Sequence, residues 1–525
     1  MKFAPSGAVS GGHNILIKEQ LLWHPDNRNP CYINLMNYFI GLDIGTSGAK
    51  CVLIDETPRL MTSGSREYPI LTPRPGWAEQ EPETWVAAGI AAIRQVLRDS
   101  AIDPRQVAGI GLSGQMHSLV VVGADLAPLR PAILWADTRS AAQVERLTAQ
   151  IGREQLGQLA GNPLAAGFML ASWVWLQENE PHTAARAHLL MLPKDYVRLR
   201  LTGQPGAEPS DASATLLFDP HTRAWSPPLL EIAGLSPDRL PVVHESAEVA
   251  GWLLPDIAAA CGLPAGIPVV YGGSDQACMA LGQGLMTPGT LAVTIGTGGQ
   301  LFAPIASPVH DPQLRLHLFC HAAPRTWHLE AAILTGGLAL RWLRDAFAPG
   351  WAYNLLADAA AQVEAASEGL FFLPYLSGER TPHMDPAARG AFVGLGLGHG
   401  TPALTRAVME GVVFALRQGF DLMLELGASA ETVTAVGGAS RHPFWLQLLA
   451  DIFARPICPT HTPEAAGVGA ALLAGIGAGI WPDAVHAVRA LPPHGPVILP
   501  NPEQVKRYAE YYLRYQRIYP AVKNI

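Results

Sequence analysis

The sequence predicts an α/β chain built from two related domains that share one ligand. Three observations carry that expectation. Residues 39–53 read as strand, glycine turn, strand, with two apolar runs flanking Gly45-Thr46-Ser47-Gly48. The pattern returns at residues 292–302, where Ile295, Gly296, Thr297 and Gly299 align with Ile44, Gly45, Thr46 and Gly48. Around the two copies, strand-like runs alternate with segments of helical spacing, as in a layered α/β domain.

Each turn offers free backbone N–H groups and hydroxyls, which is how a loop holds phosphate oxygens without a helix. Asp43 ends the first strand and points toward whatever the turn holds. A carboxylate beside phosphate needs a cation between them, and Asp43 is therefore the expected Mg²⁺ residue. The second copy has Thr294 at that place, so only the first brings a carboxylate. Paired hairpins of this kind suggest two actin-like (ribonuclease H-like) ATPase domains with a catalytic cleft between them.

Bulk properties narrow the class. At 525 residues the chain is too long for one hydrophobic core. A net charge of −8, with no block of lysines or arginines, gives no electrostatic basis for binding nucleic acid. No apolar run is long enough for a membrane span. Six scattered cysteines without a Cys-x-x-Cys pair fit reduced thiols in a cytoplasmic protein. The low charged fraction, 15%, is compatible with a homodimer. Residues 1–35 lack periodicity and are expected to be a loosely held extension, ahead of domains at 36–283 and 284–525.

Along the chain, Trp85, Ile90, Ile93, Val96 and Leu97 have helical spacing. Residues 107–113, 118–122 and 133–139 read as strands. A strand at 267–275 runs into a glycine turn and a helix beginning at Gln276, where the crossover between domains is expected. Beyond the second hairpin, Thr335-Gly336-Gly337 precedes a helix. Residues 371–376 read as a strand, and 433–440 as strand, double glycine, then helix.

Asp275 has two readings. It could cap the helix that follows it. It could also stand at the mouth of a cleft as the carboxylate that takes a proton from a phosphoryl acceptor. His117 could be a ligand, an acid–base group, a hydrogen-bonding partner for a polyol or a satisfied structural histidine, and Met116 beside it reads as core. Gly437-Gly438 could let a ring or phosphate approach the backbone near a helix start.

Taken together, these residues resemble the FGGY family of carbohydrate kinases. The resemblance runs from Met36 to about Tyr515 and rests on Asp43-Ile-Gly-Thr-Ser-Gly, Gly114-Gln-Met-His117, residues 133–137, Leu192-Pro-Lys-Asp-Tyr-Val197 and Ser210-Asp-Ala-Ser213. Past the crossover it rests on Gly273-Ser-Asp-Gln276, Thr294-Ile-Gly-Thr297, Tyr375-Leu-Ser-Gly-Glu-Arg-Thr-Pro-His383 and Gly437-Gly-Ala-Ser440. Within the family, Met116-His117 and the 375–383 segment resemble the xylulokinases. Residues 116–119 with 135–137 also resemble the gluconate kinases.

The resemblance implies ATP and Mg²⁺ as cofactors and D-xylulose as the expected acceptor, with gluconate or another ketose or polyol as the alternative. An actin-like ATPase without sugar kinase activity is the rival from another class. By motif match, Asp275 is the implied base, acting with Asp43 near the metal. Met116, His117, Asp275 and Gln276 would line the sugar. Thr46, Ser47, Lys50, Gly296 and Thr297 would meet phosphates, and Gly337, Trp342, Gly438, Ala439 and His442 the adenosine. Gln276 departs from the Asn usual in xylulokinases, and Ala171 and Ser172 replace Pro and Lys of a family signature. His442 stands where relatives often have Asn.

Overall fold

The first hairpin forms as its alternating pattern predicts. In the computed structural model, which describes residues 36–524 apart from 461 and 494, β1 (Tyr38–Ile44) and β2 (Gly48–Asp55) pair antiparallel with Asp43 opposite Lys50. The expectation for 1–35 lies outside the described residues.

β3 (Leu60–Glu67) extends the hairpin, and α1 (Pro82–Ser100) crosses over to β4 (Val107–Gly114), which runs parallel to β1. β5 (Val249–Trp252), β6 (Pro268–Val270) and β7 (Gly273–Ser274) complete a sheet of order β5-β6-β4-β1-β2-β3, with β7 beside β4. A helical insertion between β4 and β5 has its own core around Trp173 and Leu176. α2 (Asp275–Gly282) then leads to the second half.

There the plan repeats. β8 (Gly289–Ile295) and β9 (Gly299–Ile305) form the second hairpin, followed by β10 (His317–Cys320) and β11 (Trp327–Ile333). After α3 (Gly337–Phe347) and α4 (Thr401–Glu425) come β12 (Ala430–Val436), α5 (Pro443–Phe453), β13 (Ile457–Pro459) and α6 (Ala465–Gly477). The order is β10-β11-β9-β8-β12-β13, with β8 and β12 parallel, so β8, β9, β11, β12 and β13 repeat β1, β2, β3, β4 and β6. This is the actin-like fold.

Strand alternation assigns the faces. Ile40, Leu42 and Ile44 pack with Trp85, Ile93 and Val96 of α1, leaving Phe39, Gly41 and Asp43 on the other face. That inner face is covered by α6, from the far end of the chain. The approach is close enough to require glycine: a Cβ on Gly41 would lie 1.8 Å from Gly467 O, and one on Gly111 1.9 Å from Ala470 O. α2 packs on α6 with equal closeness, a Cβ on Gly469 falling 1.9 Å from Cys278 O. On the second sheet, Leu291, Val293 and Ile295 join the core with Val412 and Leu416 of α4, while Ala292 and Phe302 face Ala280 of α2.

Several strands are shorter than their apolar runs suggest. Only Ala132–Ile133 pairs in the 133–139 segment. Asp137 then turns the chain, accepting from Ala78 N at 2.6 Å and pairing with Arg139 at 2.7 Å. The 118–122 strand is Val120–Val122, the 371–376 strand is Phe371–Leu373, and 267–275 divides into β6, β7 and the start of α2. The double glycine leads first into a 3₁₀ turn, Gly438–Arg441, because α5 starts only at Pro443. Proline fits a first helical turn, where its missing N–H is not needed.

Candidate active site

Asp43, Lys50 and Ser113 share the inner face of the first sheet, one step beyond the glycines that admit α6. Register places Asp43 opposite Lys50 on β2 and beside Ser113 on β4. Ser113 Oγ donates to Asp43 Oδ1 at 3.0 Å. Burial raises the Asp43 carboxyl above its ordinary value, opposed by that hydrogen bond and the Lys50 charge. Lys50 itself pairs with Glu464 at 2.9 Å, immediately before α6.

Asp275 opens α2, and the capping role falls to its neighbour: Ser274 Oγ accepts from Ala277 N at 3.4 Å. Asp275 Oδ1 is buried without a hydrogen-bond partner. Burial, then the charges of Asp43 and Glu330, push this carboxyl up to about 8. Bonded to the adjacent Gln276 N–H and with Oδ1 unpartnered, this carboxyl leaves the capping to Ser274. It is poised to take a proton.

Beneath it lies a buried ionic cluster that accounts for two of the sequence motifs. Lys194 pairs with Asp195 at 2.7 Å and lies 3.4 Å from both Glu208 and Asp211. Ser210 Oγ donates to Glu208 and accepts from Ser274 N at 2.9 Å. The cluster thus fixes the backbone immediately before Asp275.

Met116 and His117 follow just after β4. His117, at φ 70°, stacks on Phe168 at 3.7 Å and donates from Nδ1 to Ala214 O at 2.7 Å. Burial pushes its imidazole down to about 4, so the ring is neutral at pH 7 and Nε2 is an acceptor. Met116 packs with Ala214 and Phe319, the latter on β10 of the second sheet. Gln276 lies half-buried next to Asp275.

The two glycine turns differ. Thr46 in the first accepts from Trp135 Nε1 at 2.9 Å, and its Oγ1 is 3.3 Å from Gln115 Oε1. Ser47 is exposed. In the second, Gly296 and Thr297 are exposed, and their carbonyls accept from Gly337 N at 2.7 Å and Gly336 N at 2.9 Å. Gly337 is therefore a structural tie between turn and α3. A Cβ on Gly438 would meet nothing within 4 Å, leaving its backbone open. Ala439 belongs to the same 3₁₀ turn.

Two predicted adenosine residues have other partners. Trp342 lies among Phe347, Phe372 and Phe392 at 5.7–6.3 Å. His442 caps α5, accepting from Phe444 N at 3.2 Å, and its Nε2 is 3.4 Å from Asp358. With both ring nitrogens engaged, His442 has only its ring face left for a ligand.

Sequence reasoning missed the second sheet's share of the centre. His317, Phe319, His328 and Glu330 project from one face of β10 and β11, in cross-strand pairs 317–330 and 319–328. The signal was present as His-x-Phe and His-x-Glu alternation.

The residues present suit a divalent cation. Asp43 and Asp275 lie within electrostatic reach of each other, and one buried carboxylate oxygen is unpartnered. Among the described residues, no three His, Cys, Asp or Glu groups converge as a closed metal cage. Mg²⁺ needs none, because it keeps waters and shares one or two carboxylates with phosphate oxygens.

Comparison with known proteins agrees with this architecture. Residues 38–282 match the N-terminal domain of the FGGY family of carbohydrate kinases, and residues 291–478 match its C-terminal domain. The xylulose kinase of Bacillus subtilis is 34% identical over 93% of this chain and 98% of its own length. A crystal structure of a xyloylose kinase from Brucella ovis superposes with a TM-score of 0.88 at 37% identity, covering 93% of this chain and all of that one. A gluconate kinase structure from Lactobacillus acidophilus gives the same TM-score at 27% identity, over 93% of this chain and 98% of the other. With both domains matched over most of its length, the chain belongs to the FGGY family of carbohydrate kinases.

Proposed function

We propose that this kinase transfers the γ-phosphoryl group of MgATP to the primary hydroxyl of D-xylulose, giving D-xylulose 5-phosphate. The observation that carries the reading is Asp275, whose buried Oδ1 has no hydrogen-bond partner and whose carboxyl is raised by burial and by the nearby Asp43 charge. Similarity to xylulose kinases over nearly the full chain supports the choice of sugar. In this reading the division falls at 36–283 and 284–525, with the sugar held mainly by the first part and nucleotide mainly by the second.

Asp275 removes the hydroxyl proton as the oxygen attacks phosphorus. His117 Nε2 accepts from a sugar hydroxyl, while Met116 and Gln276 shape the pocket. Asp43 would hold Mg²⁺, which when bound neutralises charge on the phosphates. Thr46, Ser47, Lys50, Gly296 and Thr297 take the phosphate end, Lys50 leaving Glu464 to do so. The open backbone at Gly438, with Ala439 next to it, receives the adenosine, with Gly337, Trp342 and the face of His442 as its surroundings. The catalytic share of this chain is positioning and exclusion of water.

Buried, unpaired cysteines at 51, 261, 278, 320 and 458 support a cytoplasmic setting. A homodimer is part of the proposal, checked by light scattering on the purified protein. The deciding experiment is ADP release over a panel of pentuloses, polyols and aldonates. Highest kcat/KM on D-xylulose is expected. Turnover on gluconate without turnover on D-xylulose would refute the assignment.

A further inference from the structure

Glu330 has no place in the motifs, yet it faces the reaction centre. It sits on β11, on the inner face of the second sheet, directly across from His317 on β10 and from Phe302 on β9. His328, two residues back on the same face, contacts Glu330 Oε1 through Nε2 at 3.1 Å. His328 is fully buried, whereas the Glu330 side chain keeps 15% of its surface exposed. The carboxyl is thus held by one oxygen and open at the rim.

What it opens onto follows from its neighbours. Phe319 lies 5.8 Å from His328 and 5.8 Å from His117 across the cleft. Met116 packs on that same Phe319. Glu330 is also close enough to Asp275 to raise its carboxyl by like charge, while burial, opposed by the Arg380 charge, pushes the Glu330 carboxyl itself up to about 8. Neutral imidazoles of His117, His317 and His328 complete the wall, all lowered by burial. The wall is rich in hydrogen-bonding groups, and two of its carboxyls face the same space.

We propose, on the sugar-kinase reading above, that Glu330 is a specificity-determining residue of the acceptor site. Its open oxygen accepts hydrogen bonds from hydroxyls of a neutral polyhydroxy ketone and, once the group is ionised, repels the carboxylate of an aldonate. The second half then supplies part of the sugar site as well as the nucleotide site. A buried carboxyl matched to hydroxyls discriminates strongly, because a buried polar group left unpaired is costly.

The test uses the full-length protein and its Glu330→Gln and Glu330→Asp variants, with KM and kcat measured for D-xylulose, D-gluconate and ATP above pH 8, where the Glu330 carboxyl is ionised. Glu330→Gln is expected to raise KM for D-xylulose about tenfold with kcat and ATP KM nearly unchanged. The gluconate-to-xylulose ratio of kcat/KM should rise about tenfold. Glu330→Asp, which keeps the charge, should leave that ratio near wild type. An unchanged sugar KM and ratio overturn the proposal. So does a parallel loss of thermal stability, kcat and ATP affinity in both variants, which marks a structural residue. Should wild type use a different neutral polyol, the choice of D-xylulose fails alone, and Glu330 is judged on that acceptor's KM. Wild-type preference for an aldonate overturns both.

Discussion

Set side by side, the turn at 45–48 is walled in by side chains, whereas the turn at 296–299 is held only by backbone. Tyr68 OH donates to Gly45 O at 2.6 Å, Gln80 Nε2 to Thr46 O at 2.8 Å, and Trp135 reaches the Thr46 hydroxyl. The later turn is tied by N–H groups of residues 336–338 at the start of α3 and keeps its outer side exposed. The turns close differently, Gly45 N bonding Gly48 O at 3.1 Å and Gly296 N bonding Gly298 O, one residue nearer, at 2.9 Å. The duplicated strands are the shared frame. Chemistry was added to one copy, as Asp43, and room was kept in the other.

The sharpest way to break this comparison is to remove the acid that stands between the copies. Asp275→Asn should lower kcat by about 10²-fold or more while sugar and ATP still bind. Retained turnover, measured by ADP release, would end the base assignment. The free wild-type enzyme should also lose kcat/KM as pH falls below about 8, since only the ionised carboxyl accepts a proton. Stability moves the other way. The folded Asp275 carboxyl binds its proton more tightly than the unfolded one, so its contribution is present at low pH and lost as pH rises from about 3.8 toward about 8. Urea melts should therefore find Asp275→Asn more stable than wild type at pH 8, by on the order of 2 kcal/mol, with the gap closing near pH 4.

A second probe asks whether the carboxylate truly belongs to one hairpin. Asp43→Asn should reduce kcat by about 10²-fold, with the loss partly offset at high Mg²⁺. Thr294→Ala, its counterpart, should change kcat by less than about threefold.

Smaller effects test the backbone ties. A Cβ on Gly336 would lie 2.4 Å from Gly298 O, so Gly336→Ala should displace the open turn. KM for ATP is expected to rise about tenfold with sugar KM nearly unchanged, the scale of an overpacked contact. Smallest is Lys50→Met. Its pair with Glu464 is half-exposed and contributes less than about 1 kcal/mol to thermal stability, so any ATP effect beyond that belongs to phosphate binding.

Local features were legible in the sequence, and long-range ones were not. Both hairpins, α1 and the start of α2 follow from alternation, helical spacing and glycine placement. Residues 133–139 misled because Ile133-Leu134-Trp135 has strand composition, while Asp137 and Arg139 close a turn against Glu79 and Trp77. Asp275 was undecidable between cap and base until Ser274 was seen to do the capping. Trp342 reads as an adenosine residue, and the sequence did not show that its ring also packs among three phenylalanines of α3, Phe371–Leu373 and Ala391–Val393. Glu330 escaped notice because its meaning depends on His117 and Asp275, far away in sequence.

The glycine seam under α6 has a consequence for biosynthesis. Phe39, Val52 and Ile54 on the first sheet are covered by Val468, Leu472 and their neighbours. As the nascent chain leaves the ribosome, those earliest-made strands stay bare on one side until more than four hundred later residues have been translated. The protein therefore cannot complete its first half and then its second; the two mature together, and the exposed strands need shielding in the interval.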